Sequence, residues 1–247
     1  MKVLVVGGTA DGRKLATALF ELGFDVIYSI AGIVRKATLP CEVISGGFTQ
    51  FGGLAQYVLD KHITHIVDAT HPFAQTMSNT IATVSETLDI TALRFHRTPW
   101  PKTAQDQWIE VSDWQEVIEQ LPAQQSLFMT AGQVEQAVID ALAAKAKHVL
   151  LRTAMPANVD LPDNVTWLKA IGPFTLDDEK RLLAHYQIDA IISKNSGGDA
   201  TYAKIKAAAE SRIPVYQFKR PILKPLAYQC EQQSECVSLL HTFKHKN

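Results

Sequence analysis

The sequence predicts an α/β protein of two lobes, each a parallel sheet with crossover helices on both faces, with a cleft between the lobes. Three observations carry this. Short apolar runs of strand length alternate with longer segments whose apolar residues recur every three or four positions, the alternation that yields parallel sheets. The strand-like runs are too many for one ordinary sheet. The stretch from Arg97 to Gln125 breaks the alternation midway, being richer in Pro, Trp, Gln and Asp and holding Pro99-Trp100-Pro101 and Leu121-Pro122. The expected division is an N-terminal, cofactor-binding lobe over 1–105 and a C-terminal lobe over 106–247 that binds cofactor and substrate. A cleft between two such lobes is a favoured place for a ligand.

In the first lobe the strand-like runs are Val3–Val6, Val26–Ile30, Glu42–Ile44, His65–Val67 and Ala92–Phe95. In the second they are Trp108–Val111, Ser126–Met129, His148–Leu151, Thr166–Leu168, Ala190–Ile192 and Val215–Phe218. Helical spacing marks Arg13–Leu22, Phe51–Lys61, Gln75–Leu88, Val134–Lys145, Asp177–His185 and Tyr202–Ser211. Both lobes therefore read as Rossmann-like.

Composition narrows the function. The chain has 247 residues, 47% hydrophobic and 20% charged, so it can bury a core without staples and does not read as disordered. Its formal charge is -1, from 24 basic and 25 acidic residues, which supplies no long-range field for nucleic acid. Cys41, Cys230 and Cys236 form no CxxC pair, and the histidines show no metal-ligand spacing, so a metal site is not expected. No run approaches ~18 consecutive apolar residues, and the opening reads as a strand rather than a secretory leader. A cytoplasmic protein is the expectation. GxSxG, HExxH and Walker patterns are absent, which takes support from hydrolase and kinase readings.

Three loops carry chemistry, each at the end of a strand. Gly7-Gly8-Thr9-Ala10-Asp11 joins the first strand to the first helix. Glycines there let the backbone turn and approach a phosphate, and the helix N-terminus offers free N–H groups and partial positive charge. The spacing is GGxxxG rather than GxGxxG, and no acid closes the second strand to hold a ribose hydroxyl; Arg35 instead follows, which suits a 2′-phosphate and hence NADPH. Asp68, Thr70 and His71 crowd the end of the His65–Val67 strand, where open sheets bind ligands, although Thr70 or His71 could simply cap the next helix. Lys194-Asn195-Ser196-Gly197-Gly198 repeats the arrangement in the second lobe, with successive amides and a lysine suited to phosphate or carboxylate.

On these residues the sequence resembles the precorrin-6A reductase family of cobalamin (vitamin B12) biosynthesis. The resemblance runs from Val3 to Pro221. It rests on Leu4–Ala16 (LVVGGTADGRKLA), Ala31-Gly32, Ser45-Gly46-Gly47-Phe48 with Gly53-Leu54, Val67–Ser78 (VDATHPFAQTMS), Gly172–Thr175 (GPFT), Lys194–Gly198 (KNSGG) and Arg220-Pro221. The block at Val67–Ser78 is the most specific. Asp11-Gly12 replaces the family's acid–alanine pair, and Arg97-Thr98-Pro99-Trp100 departs from its closer Arg-Pro pairing.

The resemblance implies a reductase that saturates one double bond of a ring-contracted tetrapyrrole with NADPH or NADH. Members act on metal-free precorrin-6A with NADPH or on its cobalt form, generally with NADH. Hydride would pass from the nicotinamide to an electron-poor carbon, with a proton added at its neighbour. Protonation by the macrocycle's own nitrogens would make a protein acid dispensable; otherwise His71, oriented by Asp68, is the candidate. Arg35, Arg94, Lys194, Lys204 and Arg220 are candidates to clamp the substrate's carboxylates, with Thr70 beside the cofactor. Alternatives are another nucleotide-dependent oxidoreductase, which would need a Tyr-x-x-x-Lys pair, a nucleotide-sensing module without catalysis, and an S-adenosylmethionine-dependent methyltransferase.

Overall fold

A computed structural model describes residues 1–32 and 39–245. In chain order the first elements are β1 (Lys2–Val6), α1 (Ala10–Glu21), β2 (Asp25–Ile30), β3 (Glu42–Ser45), α2 (Leu54–Asp60), β4 (His65–Asp68), α3 (Gln75–Leu88) and β5 (Thr91–Phe95). There follow β6 (Trp108–Val111), α4 (Trp114–Gln120), β7 (Ser126–Met129), α5 (Gln136–Lys145), β8 (His148–Thr153), β9 (Val165–Lys169), α6 (Leu176–His185), β10 (Ala190–Lys194), α7 (Ala203–Ser211) and β11 (Val215–Phe218). The chain closes with β12 (Tyr228–Cys230) and α8 (Gln233–Lys244).

These elements form two compact units, one of Met1–Thr98 with Pro221–Asn247 and one of Pro99–Arg220. The division thus falls at Thr98, not after residue 105, and the tail does not stay with the second lobe as expected from the sequence. The reason is β12, three residues pairing in parallel with Leu93–Phe95 of β5. It carries α8 back, and Cys236 and Leu240 of that helix enter the first unit's core.

The first unit is one sheet of six parallel strands in the order β12-β5-β4-β1-β2-β3. Both faces are covered, so β1 is apolar throughout instead of alternating. Val3 and Val5 face the layer of Leu15, Leu19 and Leu240, whereas Leu4 and Val6 face that of Leu54, Val58 and Ile81. Each such fully buried side chain contributes roughly 1.5–3 kcal/mol. The chain order reverses between β1 and β4, and ligands of open sheets bind at such a reversal, beyond the strands' carboxyl ends.

The second unit repeats the scheme with β6-β11-β10-β7-β8-β9, again all parallel. Phe128, Leu150, Ile191 and Val215 face Leu183, Ile205 and Ala208 of α6 and α7. Its reversal lies between β7 and β10. The helix α4, which periodicity did not mark, is seven residues long and capped by Asp113, whose carboxylate accepts from the Glu116 amide.

Candidate functional site

At the first unit's reversal the chain leaves β1 through Gly7 and Gly8 and enters α1 at Ala10. The Gly7 amide donates to the Ser29 carbonyl at 2.8 Å, and the Gly8 amide to the Tyr28 hydroxyl at 2.9 Å. Thr9 caps α1, its hydroxyl accepting the Gly12 amide at 3.0 Å and donating to the Ala69 carbonyl at 3.4 Å. The amides of Ala10 and Asp11 lie in the first helical turn, where helix geometry supplies no carbonyl partner, and they point out along the axis with the positive end of the dipole. Gly8 is exposed at φ 125°, and a Cβ built on it meets nothing within 4 Å. At Gly12 a Cβ would come within 3.2 Å of the Ala69 carbonyl oxygen. Bare backbone, open space above Gly8 and outward amides fit the phosphates of a nucleotide.

One feature would oppose an anion here. The Asp11 carboxylate stands in the same first turn, but Arg97 forms an ion pair with it and the Gln233 amide donates to its other oxygen at 3.2 Å. The corner is therefore not left negative. Arg35, expected nearby for a 2′-phosphate, lies outside the described residues.

The strand-end motif of β4 lies beside this corner: the Ala69 amide donates to the Val6 carbonyl at 2.8 Å. Asp68 is 1% exposed. One of its oxygens accepts from the Thr70 hydroxyl (2.7 Å) and amide (3.2 Å), and the other from Arg94 Nε at 2.9 Å. Asp68 and Arg94 are register partners on adjacent parallel strands, which is why they meet. Arg94 is 3% exposed and also donates to the Ser78 and Lys224 carbonyls. Thr70 is further tied to the Ser78 hydroxyl at 3.2 Å.

His71 is half-buried, and its Nδ1 accepts from the Phe73 amide at 3.3 Å, which leaves Nε2 to carry the proton of the neutral ring.

In the second unit, the equivalent corner follows β10. Thr130, after β7, donates its amide and hydroxyl to the Ile192 carbonyl at 2.9 and 3.1 Å. The Asn195 amide group brackets the Trp100 backbone, accepting at 2.8 Å and donating at 3.1 Å, and Arg220 Nε donates to the Asn195 carbonyl at 2.9 Å. The Ser196 amide donates to the Lys194 carbonyl at 2.7 Å, and Gly197 has φ 70°. Lys194 is half-buried, and burial pushes its ammonium below the ordinary lysine range. Gly198 precedes a short 3₁₀ turn at Asp199–Thr201.

Lys204 lies in the first turn of α7. It is 3% exposed, donates to the Thr201 carbonyl at 2.8 Å and lies 4.8 Å from the Trp100 ring centre. Burial lowers its pKa to about 7, helped by the Arg152 charge and opposed by Glu179. Those two form a buried bidentate pair at 2.8 and 3.1 Å, with the guanidinium of Arg152 against the rings of Phe174 and Phe128.

Sequence reasoning missed Tyr28, Gln233 and the Arg97–Asp11 pair, whose partners are far apart in the chain and give no local signal. Among the described residues no group of three His, Cys, Asp or Glu side chains could hold a metal ion, and no helix is long and apolar enough to cross a membrane.

With this geometry established, comparison with known proteins is decisive: the family model described as precorrin-6x reductase CbiJ/CobK matches residues 2–241. The chain belongs to that family. A precorrin-6A reductase of Rhodococcus erythropolis is 34% identical over 249 residues, covering 99% of both chains. One of Rhodobacter capsulatus is 35% identical, covering 89% of this chain and 88% of the relative. A cobalt-precorrin-6A reductase of Priestia megaterium is more distant, at 25% over 89% of this chain and 90% of its own. The solved structure of a CobK precorrin-6A reductase superposes with a TM-score of 0.89 at 31% identity, covering 98% of this chain and 96% of that one. Membership of CbiJ/CobK makes the chain an oxidoreductase of cobalamin biosynthesis that uses a nicotinamide cofactor, and the structural match agrees with the two α/β units.

Proposed function

We propose that this chain reduces metal-free precorrin-6A to precorrin-6B with NADPH, holding the nucleotide's phosphates on the first unit's corner. The observation that carries the reading is the Gly7–Asp11 turn at the sheet's reversal, with outward amides, open space above Gly8 and an acid already neutralised by Arg97. The metal-free substrate is favoured by identity: relatives named precorrin-6A reductase reach 34–37%, and those named cobalt-precorrin-6A reductase 24–26%. NADPH is favoured by the sequence after β2, which holds Arg35 and Lys36 and no acid before Glu42.

When bound, the reduced nicotinamide supplies the hydride; the protein's part is alignment, water exclusion and charge. The amides of Ala10 and Asp11 face the phosphates, with Gly7, Gly8 and Thr9 shaping the turn. Asp68, locked by Arg94, holds Thr70 beside that turn. His71, once protonated and with Nδ1 released from the Phe73 amide, can deliver the proton that accompanies hydride addition, unless the macrocycle's own nitrogens carry it. The loop Lys194–Gly198 is a second anion cradle, suited to a cofactor phosphate or a substrate carboxylate, and Arg220 braces it. Lys204, being enclosed, supports that loop from beneath through Thr201.

The test is turnover of precorrin-6A with each reduced nucleotide, followed by loss of nicotinamide absorbance and by product mass. One NADPH should be oxidised per substrate, the product gaining two hydrogens, and NADH should be used less efficiently. Binding of NADPH without oxidation in the presence of substrate would overturn the reading. In single turnovers His71→Ala should slow hydride transfer if His71 is the acid, and an unchanged rate assigns protonation to the macrocycle.

A further inference from the structure

We infer that Tyr28 is a positioning residue for the nucleotide's phosphates: its hydroxyl turns the Gly8 peptide inward and so leaves the amides of Ala10 and Asp11 to meet the ligand. This deepens the nucleotide reading of the first corner and depends on it. Tyr28 lies on β2 in register with Val5 of β1 and is fully buried. Its neighbour Ser29 takes the Gly7 amide on its carbonyl, and the Tyr28 hydroxyl takes the next amide, that of Gly8, at 2.9 Å. Two successive amides of the turn are therefore bound by β2, one by backbone and one by side chain.

The ring also sets the shape of the turn. A Cβ built on Gly7 would fall 2.3 Å from Tyr28 Cε2 and 2.5 Å from its hydroxyl oxygen, so ring and glycine occupy complementary space. Gly8 sits at φ 125°, where a peptide is weakly held by its own torsions. Without an acceptor beneath it, its amide could rotate toward solvent or ligand. With the acceptor, the turn keeps one conformation before the nucleotide arrives, and the cost of ordering it is not taken from binding. Burial raises the phenol's pKa, which keeps the hydroxyl neutral through the working range.

The test compares Tyr28→Phe, which keeps the ring and removes the oxygen, with Ala10→Pro, which removes one ligand-facing amide at a helix position that tolerates proline. Thr9 is already extended, at φ -105° and ψ 165°, so a following proline does not strain it. Tyr28→Phe should raise KM for the reduced nucleotide about five- to ten-fold, the scale of one hydrogen bond, while kcat and the tetrapyrrole KM stay within about two-fold. A nucleotide KM unchanged in Tyr28→Phe but raised in Ala10→Pro overturns the role of Tyr28 alone. Both variants binding as wild type does would remove the nucleotide from this corner. A merely structural tyrosine would lower the melting temperature and leave the KM-to-kcat split untouched. Should Tyr28→Phe fail to fold, amide exchange on the wild-type protein decides: Gly8 should be protected without ligand and Ala10 unprotected, and a rapidly exchanging Gly8 amide contradicts the inference.

Discussion

The two strand-to-helix corners look alike in sequence and differ in what their own side chains do. After β1, the residues between strand and helix are Gly7, Gly8 and Thr9, and only the threonine has a side chain that bonds within the turn. After β10, Asn195 brackets Trp100, the Ser196 amide closes on Lys194, and a 3₁₀ turn intervenes before α7. The first corner presents backbone donors to a ligand. The second is largely occupied by its own bonds. A glycine-rich loop at a strand end is thus held in different ways: after β1 by the neighbouring strand β2, and after β10 largely by the loop's own side chains.

A buried arginine–carboxylate pair stands in each unit, and removing the acid from each gives the largest contrast. Asp68→Ala should cost about 3–5 kcal/mol in denaturant unfolding by leaving Arg94 charged and unpaired, and should also raise the nucleotide KM because Thr70 loses its anchor. Glu179→Ala should cost a similar amount through Arg152, with the nucleotide KM unchanged. An equal effect of both on KM would erase the distinction between the corners.

The next contrast is in pH. Lys204 titrates at about 7 in the fold against 10.5 in the open chain, so between these values the unfolded state binds more protons. Stability should therefore rise with pH from 7 towards 9, by about 1–3 kcal/mol. Lys204→Met should flatten that rise, and a wild-type curve already flat over the interval would contradict the burial of a neutral amine.

The smallest contrast concerns caps. Thr9→Ala and Thr175→Ala should each cost about 1 kcal/mol, since each hydroxyl accepts an amide at its helix start, α1 and α6 respectively. Only Thr9→Ala should weaken nucleotide binding.

Much of this was legible in the sequence because it is local. The alternation of strands with helices, the glycines after Val6 and the polar run after Val67 all lie where short-range pattern is informative. Lys204 was legible in part: it shares a helix face with the buried Ala207 and Ala208, a lysine within an apolar stripe. What escaped depends on tertiary register. Asp68 and Arg94 pair because β4 and β5 align them, Tyr28 reaches Gly8 from the adjacent strand, and Arg97 reaches Asp11 across the fold. The return of the tail escaped because β12 is three residues long and has no room for a period-two pattern.

On the proposed function, nucleotide phosphates rest on the amides that open α1. Amide-resolved NMR of the isotope-labelled protein during NADPH titration tests it most directly. The largest shifts should fall on Ala10 and Asp11, with smaller ones at Lys194–Gly198. Saturable binding that leaves Ala10 and Asp11 unmoved while shifting residues elsewhere would contradict the account.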